Sequence, residues 1–130
     1  MITDRIDSVT KIPPEYMKAA PPAPKSVKIE ISPRCNYRCG FCALRNREVQ
    51  PKWDMDFELF KRITREMSVA GVKEIGVFYL GESFMGPRLL VDCIRYLKSE
   101  LAMPYVFLTS NASMAFPEAI EACMKAGLDS

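Results

Sequence analysis

Residues 26–32 alternate between apolar and polar side chains. This period of two predicts a strand with one face toward a core and one face toward a different environment. Lys28 and Glu30 would share the second face. The apolar positions of the alternation are Val27, Ile29 and Ile31.

Three longer segments, residues 54–71, 87–101 and 117–126, repeat apolar residues at helical spacing. Two short apolar runs, residues 75–80 and 105–108, are typical of strands covered on both faces. Strands that alternate with helices predict an α/β fold with a parallel sheet and right-handed crossovers. The helical positions expected to face inward are Phe57, Phe60, Ile63, Met67, Leu90, Ile94, Leu97, Leu101, Ile120 and Met124.

The ends of the predicted helices carry suitable capping residues. Asp54 or Asp56 can cap the start of the first helix, and Gly71 suits its end. Pro117 fits the first turn of the third helix, and Gly127 follows its last turn.

Residues 1–25 contain five prolines and no strand pattern, which predicts an extension ahead of a core domain over residues 26–130. Residues 1–12 lack the apolar centre of a signal peptide, and no apolar run reaches the length of a membrane helix. A folded protein is expected from 48% hydrophobic and 26% charged residues. We therefore expect a cytoplasmic protein that does not contact a membrane.

The chain stops at residues 128–130, just after the third helix, where a fourth strand would be expected to start. Three βα units leave an exposed sheet edge. The sequence therefore predicts a truncated core domain from a longer protein, which would be inactive alone and would tend to associate through this edge.

The chain has five cysteines and no histidine. An odd number without a secretory signal argues against a disulfide framework. Cys35, Cys39 and Cys42 form a C-x3-C-x2-C segment, whereas Cys93 and Cys123 stand alone in helical patterns. Clustered thiolates are ligands for iron–sulfur clusters and for zinc.

The number of ligands favours a cluster over zinc. A closed zinc site needs four ligands, whereas three cysteines on a four-iron cluster leave one iron open for catalysis. Two alternatives remain. One is a noncatalytic zinc or iron–sulfur binding module with Cys93 or Cys123 as a remote fourth ligand, and the other is a structural fragment whose cysteines carry nothing.

A C-x3-C-x-aromatic-C segment directly after a first strand, with Phe41 at the aromatic position, resembles the radical S-adenosylmethionine (SAM) superfamily. The resemblance covers residues 26–130. It implies the first half of a partial TIM-like (β/α)6 barrel, with three βα units present. It also implies a [4Fe–4S] cluster on Cys35, Cys39 and Cys42.

By the same resemblance, the enzyme would reductively cleave SAM to a 5′-deoxyadenosyl radical that abstracts hydrogen from a substrate. A peptide or small metabolite is the favoured substrate class. Leu80-Gly81-Glu82 resembles the family's Gly-Gly-Glu motif, which grips the amino group of SAM, although Leu80 replaces the first glycine. The predicted SAM contacts are Phe41, Gly81, Glu82, Ser110 and Asn111.

Thr109-Ser110-Asn111 resembles the family's Thr-Asn-Gly segment, with Ala112 where glycine is usual. A helix cap or a polar turn is the alternative interpretation of these residues. Asn36 is expected to brace the backbone of its own cysteine loop. Lys28 and Glu30 would face the barrel interior, as an ion pair or as substrate contacts.

A net charge of +2 does not indicate nucleic acid as a partner. Residues 33–52, however, carry a net charge of +4. We expect this loop to dock an acidic electron carrier such as a flavodoxin or ferredoxin, and a solvated loop is the alternative. The charged residues of the loop are Arg34, Arg38, Arg45, Arg47, Glu48 and Lys52.

Overall fold

The computed structural model describes residues 12–130. Strands and helices alternate along them, as the apolar pattern predicts. The strands are β1 (Ser26–Lys28), β2 (Glu74–Gly76) and β3 (Tyr105–Phe107). The helices are α1 (Phe57–Ala70), α2 (Pro87–Ser99) and α3 (Pro117–Ala126). Short 3-10 turns lie at Pro14–Tyr16, Ala43–Asn46 and Ser83–Met85.

The sheet is parallel, with the order β1-β2-β3. Val27 pairs with Ile75, and Ile75 pairs with Val106. Each strand is shorter than the segment predicted from the sequence, because the backbone stops pairing with the neighbouring strand where the loop begins. Beyond β1, the Ile29 N–H still donates to the Gly76 carbonyl at 2.8 Å. The prediction of an α/β fold is confirmed.

The core lies between one face of the sheet and the helices. Ile29 and Ile31 are buried and Val27 is half-buried, as the alternation predicts. The residues that are completely buried in this core include Phe60, Ile75, Leu90, Ile94, Leu97 and Val106.

The helix ends follow the predicted capping. Asp56 caps α1 by accepting a hydrogen bond from the Leu59 N–H at 2.8 Å. Gly71 and Gly127 adopt left-handed conformations, with φ of 98° and 103°. Pro117 occupies the first turn of α3.

The predicted inward face of α3 is wrong. Ile120 and Met124 are 42% and 66% exposed, whereas Cys123 and Ala126 are buried. Ala119, Cys123 and Ala126 share one side of the helix, and their small side chains pack against the core. The larger apolar residues of α3 therefore point away from α2 and the sheet.

The outer edge of β3 is partly covered by the end of the chain. The Asp129 N–H donates to the Val106 carbonyl at 2.9 Å, and the Leu108 N–H donates to the Ser130 carbonyl at 2.8 Å. Asp129 Oδ2 accepts from the Val106 N–H at 2.7 Å. The edge is thus less open than the sequence predicts, and association through it stays a prediction.

Of the predicted N-terminal extension, residues 1–11 lie outside the described residues. Residues 12–25 are mostly exposed, although Ala23 packs against the core and accepts a 3.3 Å hydrogen bond from the Tyr16 hydroxyl. The domain boundary at residue 25 stays a prediction. None of the helices described between residues 12 and 130 is long and apolar enough to cross a membrane.

Candidate functional site

The predicted site residues lie in three loops that follow β1, β2 and β3. Because all three strands are parallel, their carboxyl ends meet at one edge of the sheet. The cysteine loop (residues 33–52) follows β1, the Gly-Glu loop (residues 77–86) follows β2, and the Ser-Asn loop (residues 108–116) follows β3. The edge therefore brings together segments far apart in sequence.

The cysteine loop carries three free, half-buried thiols on Cys35, Cys39 and Cys42. The Cys42 N–H donates to the Cys39 carbonyl at 3.0 Å, which places a turn between these two residues. Cys42 Sγ accepts from the Leu44 N–H at 3.4 Å, and Cys35 Sγ accepts from the Tyr37 N–H at 3.5 Å. Backbone N–H groups are thus directed at two of the three sulfurs.

The donor set of the cysteine loop suits an iron–sulfur cluster, since it offers three thiols and the chain has no histidine. Within residues 12–130, no group of three or more Cys, His, Asp or Glu side chains is arranged to hold a metal ion. The three sulfurs therefore share one loop at the sheet edge without closing around a common centre.

Cys93 and Cys123 lie in the core, within α2 and α3. Burial raises the pKa of both thiols, and the nearby Asp92 carboxylate adds to the effect on Cys93. Both side chains are therefore neutral small hydrophobes. This does not favour the alternative in which one of them is a fourth metal ligand.

Gly81 packs directly against the chain that leads into Cys35. A Cβ atom at Gly81 would lie 2.0 Å from the Ser32 carbonyl oxygen and 2.9 Å from that of Arg34. The neighbouring Glu82 N–H donates to the Arg34 carbonyl at 2.7 Å. The backbone of Gly81 thus closely approaches the backbone of residues 32–34, and a contact between Gly81 and SAM stays a prediction.

Glu82 is 2% exposed and joins the Gly-Glu loop to the Ser-Asn loop. Its Oε1 accepts from the Phe84 N–H at 2.9 Å, and its Oε2 accepts from the Asn111 N–H at 2.8 Å. The Ser110 hydroxyl lies 3.0 Å from both oxygens. The structure therefore brings three of the predicted site residues, Glu82, Ser110 and Asn111, into contact.

The Ser-Asn loop also contains the polar turn that was the alternative interpretation. Ser110 Oγ accepts from the Ala112 N–H at 2.9 Å. Ala112, at the position where the family has glycine, adopts a left-handed conformation with φ of 61°. The turn and the contacts to Glu82 coexist in one segment.

The expected ion pair between Lys28 and Glu30 is wrong, since the ion pairs of the described residues do not include it. Glu30 Oε1 instead accepts from the backbone N–H groups of Leu80 and Gly81, at 3.0 and 2.9 Å. The Lys28 ammonium lies 5.5 Å from the centre of the Phe78 ring. Glu30 thus anchors the Gly-Glu loop. The alternating pattern of residues 26–32 predicts that Glu30 lies away from the core, but it does not predict this role.

Sequence reasoning also missed a half-buried clasp between Arg34 and Asp54. Arg34 Nε donates to Asp54 Oδ1 at 3.0 Å, and Nη2 donates to Oδ2 at 2.6 Å. The Ser32 hydroxyl donates to the same carboxylate at 2.8 Å, and Arg34 Nη2 reaches the Met85 carbonyl at 2.9 Å. This bidentate pair fixes the residue immediately before Cys35.

The clasp changes the expected charge of the cysteine loop. Arg34 is neutralised by Asp54, which lies outside residues 33–52. Arg45 and Arg47 donate to the backbone carbonyls of Gly40 and Pro33. The net charge of the loop surface is consequently smaller than the sequence predicts by the charge of Arg34, whereas Arg45 and Arg47 keep their charges while they hold the loop together.

Asn36 does not brace its own loop as predicted. Its Nδ2 donates to Ser113 Oγ at 2.7 Å, and its Oδ1 accepts from Asn111 Nδ2 at 3.1 Å. Both partners belong to the Ser-Asn loop, so Asn36 ties the cysteine loop to it. Phe41, a predicted SAM contact, is 95% exposed and is not brought together with the buried Glu82.

Comparison with known proteins identifies one family over most of the chain. The model of the Radical SAM superfamily matches residues 29–130. The S-adenosylmethionine-dependent nucleotide dehydratase RSAD2 of Danio rerio is 32% identical over 112 residues, which are 85% of this chain. The protein of the same name from Oncorhynchus mykiss is 30% identical over 115 residues, 86% of this chain. The chain spans 30% and 32% of the length of these relatives.

Solved structures show the same fold. BtrN in complex with AdoMet and 2-DOIA superimposes with a TM-score of 0.70 at 16% identity, covering 82% of this chain and 43% of that one. BtrN in an open conformation gives a TM-score of 0.71 at 15% identity, covering 82% of this chain and 47% of that one. The partial TIM-like barrel predicted from the cysteine motif is confirmed.

Proposed function

Because the chain belongs to the radical SAM superfamily, we propose that Cys35, Cys39 and Cys42 hold a [4Fe–4S] cluster and that the enzyme cleaves SAM reductively. The observation that carries this proposal is the position of the cysteine loop. Its three free thiols lie at the carboxyl edge of the sheet, beside the Gly-Glu loop. Such a cluster, when bound, supplies the electron that cleaves SAM to methionine and a 5′-deoxyadenosyl radical.

The residues of this chain prepare the site for that chemistry. The clasp of Arg34 and Asp54 holds the start of the cysteine loop, and Gly81 packs against the same segment. Arg45 and Arg47 fasten the rest of the loop through backbone carbonyls. Closure of the cysteine loop would then bring the three sulfurs around one cluster.

We propose Gly81, Glu82 and Ser110 as contacts for the amino group of SAM, with Asn111 beside them, and Phe41 as a separate SAM contact on the exposed part of the cysteine loop. The Ser110 hydroxyl lies 3.0 Å from both oxygens of Glu82, but a hydroxyl has one hydrogen and satisfies one oxygen at a time. The other carboxylate oxygen therefore retains acceptor capacity. A ligand ammonium is a strong, charge-assisted donor for that oxygen.

We propose nucleotides as the first substrate class to test, within the broader class of small metabolites. The support is the nucleotide dehydratases to which the chain is similar, over the part that contains the cysteine loop. A peptide substrate is the competing class. Product analysis with nucleoside triphosphates and with peptides in parallel distinguishes the two.

We also propose an acidic electron carrier as the reductant of the cluster. The support is the exposed cations of the cysteine loop, Arg38 and Lys52, which make no ion pair among the described residues. Positive charge beside a redox centre steers an anionic carrier toward it.

Anaerobic reconstitution followed by iron, sulfide and zinc analysis tests the cluster. We expect about four irons and four sulfides per chain, from the composition of such clusters. Replacing Cys35, Cys39 or Cys42 with Ala is expected to abolish the cluster, because each would supply one of three ligands. Cys93→Ala and Cys123→Ala are the matched controls and should retain it. Stoichiometric zinc without sulfide would establish the noncatalytic alternative instead.

A further inference from the structure

Asn111 occupies the meeting point of all three loops of the site. Its backbone N–H donates to Glu82 Oε2 at 2.8 Å. Its side-chain Nδ2 donates to Asn36 Oδ1 at 3.1 Å and to Cys35 Sγ at 3.8 Å, a long contact that the larger sulfur atom still allows. One residue thus contacts the Gly-Glu loop, the cysteine loop and a proposed metal ligand.

The orientation of the Asn111 amide is determined by its neighbours. The Ser113 N–H, which can only donate, lies 3.0 Å from Asn111 Oδ1 and identifies that atom as the acceptor. The Ser113 hydroxyl also donates to Oδ1 at 2.7 Å and accepts from Asn36 Nδ2 at 2.7 Å. Asn36, Asn111 and Ser113 therefore form a closed, complementary ring that points the Asn111 NH₂ group at Cys35.

The backbone of the Ser-Asn loop is shaped to maintain this arrangement. Ala112 adopts φ of 61°, which is unfavourable for a residue with a Cβ atom. The Ser110 hydroxyl oxygen accepts from the Ala112 N–H, and Asn111 Oδ1 accepts from the Ser113 N–H. These two hydrogen bonds stabilise the turn. Strain of this kind persists where the surrounding contacts enforce it.

We infer that Asn111 is a positioning residue for Cys35, and that its amide N–H group raises the reduction potential of the cluster bound there. This rests on the proposed function and adds to the SAM contact proposed for the same residue. A hydrogen bond to a ligating sulfur stabilises the more negative, reduced form, so its removal makes reduction harder. The ring through Asn36 and Ser113 keeps the donor in place.

The test compares reconstituted protein with the Asn111→Ala and Ser113→Ala variants in mediated redox titrations without SAM, followed by electron paramagnetic resonance of the reduced cluster. We expect Asn111→Ala to make reduction roughly tenfold less favourable at a given potential, a shift of about 59 mV to more negative values for one electron. Ser113→Ala retains the Nδ2 donor and is expected to shift the potential by less than half as much.

A second pair of variants separates the lost donor from changes in loop shape. Asn111→Asp keeps an acceptor for the Ser113 N–H but has no NH₂ group. Asn36→Asp adds the same charge beside Cys35 while leaving the Asn111 donor present. The potential should fall further in Asn111→Asp than in Asn36→Asp.

The outcomes distinguish this inference from the proposed function. No iron and sulfide in the wild-type protein would contradict the proposed cluster itself. Loss of the cluster in both Asn111 variants, with unchanged circular dichroism and normal loading of Ser113→Ala, would support the positioning of Cys35. Clusters of normal content and unchanged potential in both Asn111 variants would overturn the inference.

Discussion

Gly81 and Gly40 lie in adjacent loops of the site but differ in the room around them. A Cβ atom at Gly81 would lie 2.0 Å from the Ser32 carbonyl oxygen, whereas one at Gly40 would have no atom within 4 Å. We expect Gly81→Ala to lower the free energy of unfolding by about 3 kcal/mol, because backbone must move to accept the methyl group. Gly40→Ala should change it by less than about 0.5 kcal/mol. Urea denaturation of both variants measures the difference, and equal effects would contradict the packing of Gly81.

Ala112 offers the opposite substitution. Its φ of 61° costs an L-residue about 1 kcal/mol, which glycine does not incur. We expect Ala112→Gly to stabilise the protein by a few tenths to about 1 kcal/mol. This net value includes the opposing effect of glycine, which has a greater conformational entropy in the unfolded chain. Thermal unfolding measures the change.

The matched control for Ala112 is Ala119→Gly within α3, which should destabilise by about 0.5–1 kcal/mol. A loss of stability in Ala112→Gly as large as in the control would show that the left-handed conformation carries no cost at this position.

At the scale of single residues, the sequence identifies which side chains matter better than it identifies their partners. The C-x3-C-x2-C spacing marks Cys35, Cys39 and Cys42, and two strand ends mark Glu82 and Asn111, all of which lie at one sheet edge. The partners of Asn36 and Glu30 could not be predicted, because each lies in a loop distant in sequence. Only the three-dimensional arrangement of the loops decides such contacts.

Among the secondary structure elements, the edge of β3 depends on Asp129. Burial alone would raise the pKa of this carboxyl group, but hydrogen bonds from the Val106 N–H and from Lys98, and the charge of Lys98, lower it below its ordinary value. A lowered pKa in the folded state means that the contribution to stability is fully present above about pH 4. It is lost as the pH falls through the lower, folded pKa.

We therefore expect Asp129→Asn to destabilise the protein by about 0.5–1 kcal/mol near pH 7, through loss of the ion pair with Lys98. The difference from wild type should shrink as the pH falls below about 4 and through the lowered, folded-state pKa of Asp129. Denaturant titrations between pH 2 and 7 provide the measurement. Glu121→Gln removes an exposed pair within α3 and is expected to show no such pH dependence. A difference that persists at pH 2 would contradict the role of the Asp129 charge.

The helices follow from the sequence more fully than the strands do. Periodicity predicts α1 and α2 to within a few residues, and Gly71 ends α1 as expected. The orientation of α3 is wrong because periodicity favours its largest apolar residues, Ile120 and Met124, as the inward face. Close packing against the core instead selects Cys123 and Ala126, whose small size permits a close approach.

For the molecule as a whole, the distribution of charge gives a test of the proposed electron carrier. Arg45 and Arg47 hold the cysteine loop, so their reversal would disturb its shape as well as its charge. Arg38 and Lys52 are exposed and are better targets. We expect the double variant Arg38→Glu, Lys52→Glu to slow reduction by an acidic carrier and to flatten its dependence on salt.

Stopped-flow reduction at several ionic strengths measures both effects in the reconstituted protein. Lys18→Glu combined with Lys73→Glu is the charge-matched control, since both residues are exposed, lie outside the cysteine loop and make no ion pair among the described residues. Reduction by dithionite, which requires no docking surface, reports whether the cluster itself has changed. Equal slowing by both double variants would show that net charge, rather than the cysteine loop, governs the encounter.

The contacts between the cysteine loop and the Gly-Glu loop determine where two members of this family can be joined in a chimaera. Gly81 rests on the Ser32 carbonyl, the Glu82 N–H donates to Arg34, and Glu30 accepts from Leu80 and Gly81. Residues 30–34 and 80–82 therefore form a single packed unit, although about fifty residues separate them in the sequence. A chimaera whose crossover falls within α1 would join halves adapted to different partners. A crossover after residue 86 keeps the unit intact, and we expect it to preserve folding far more often.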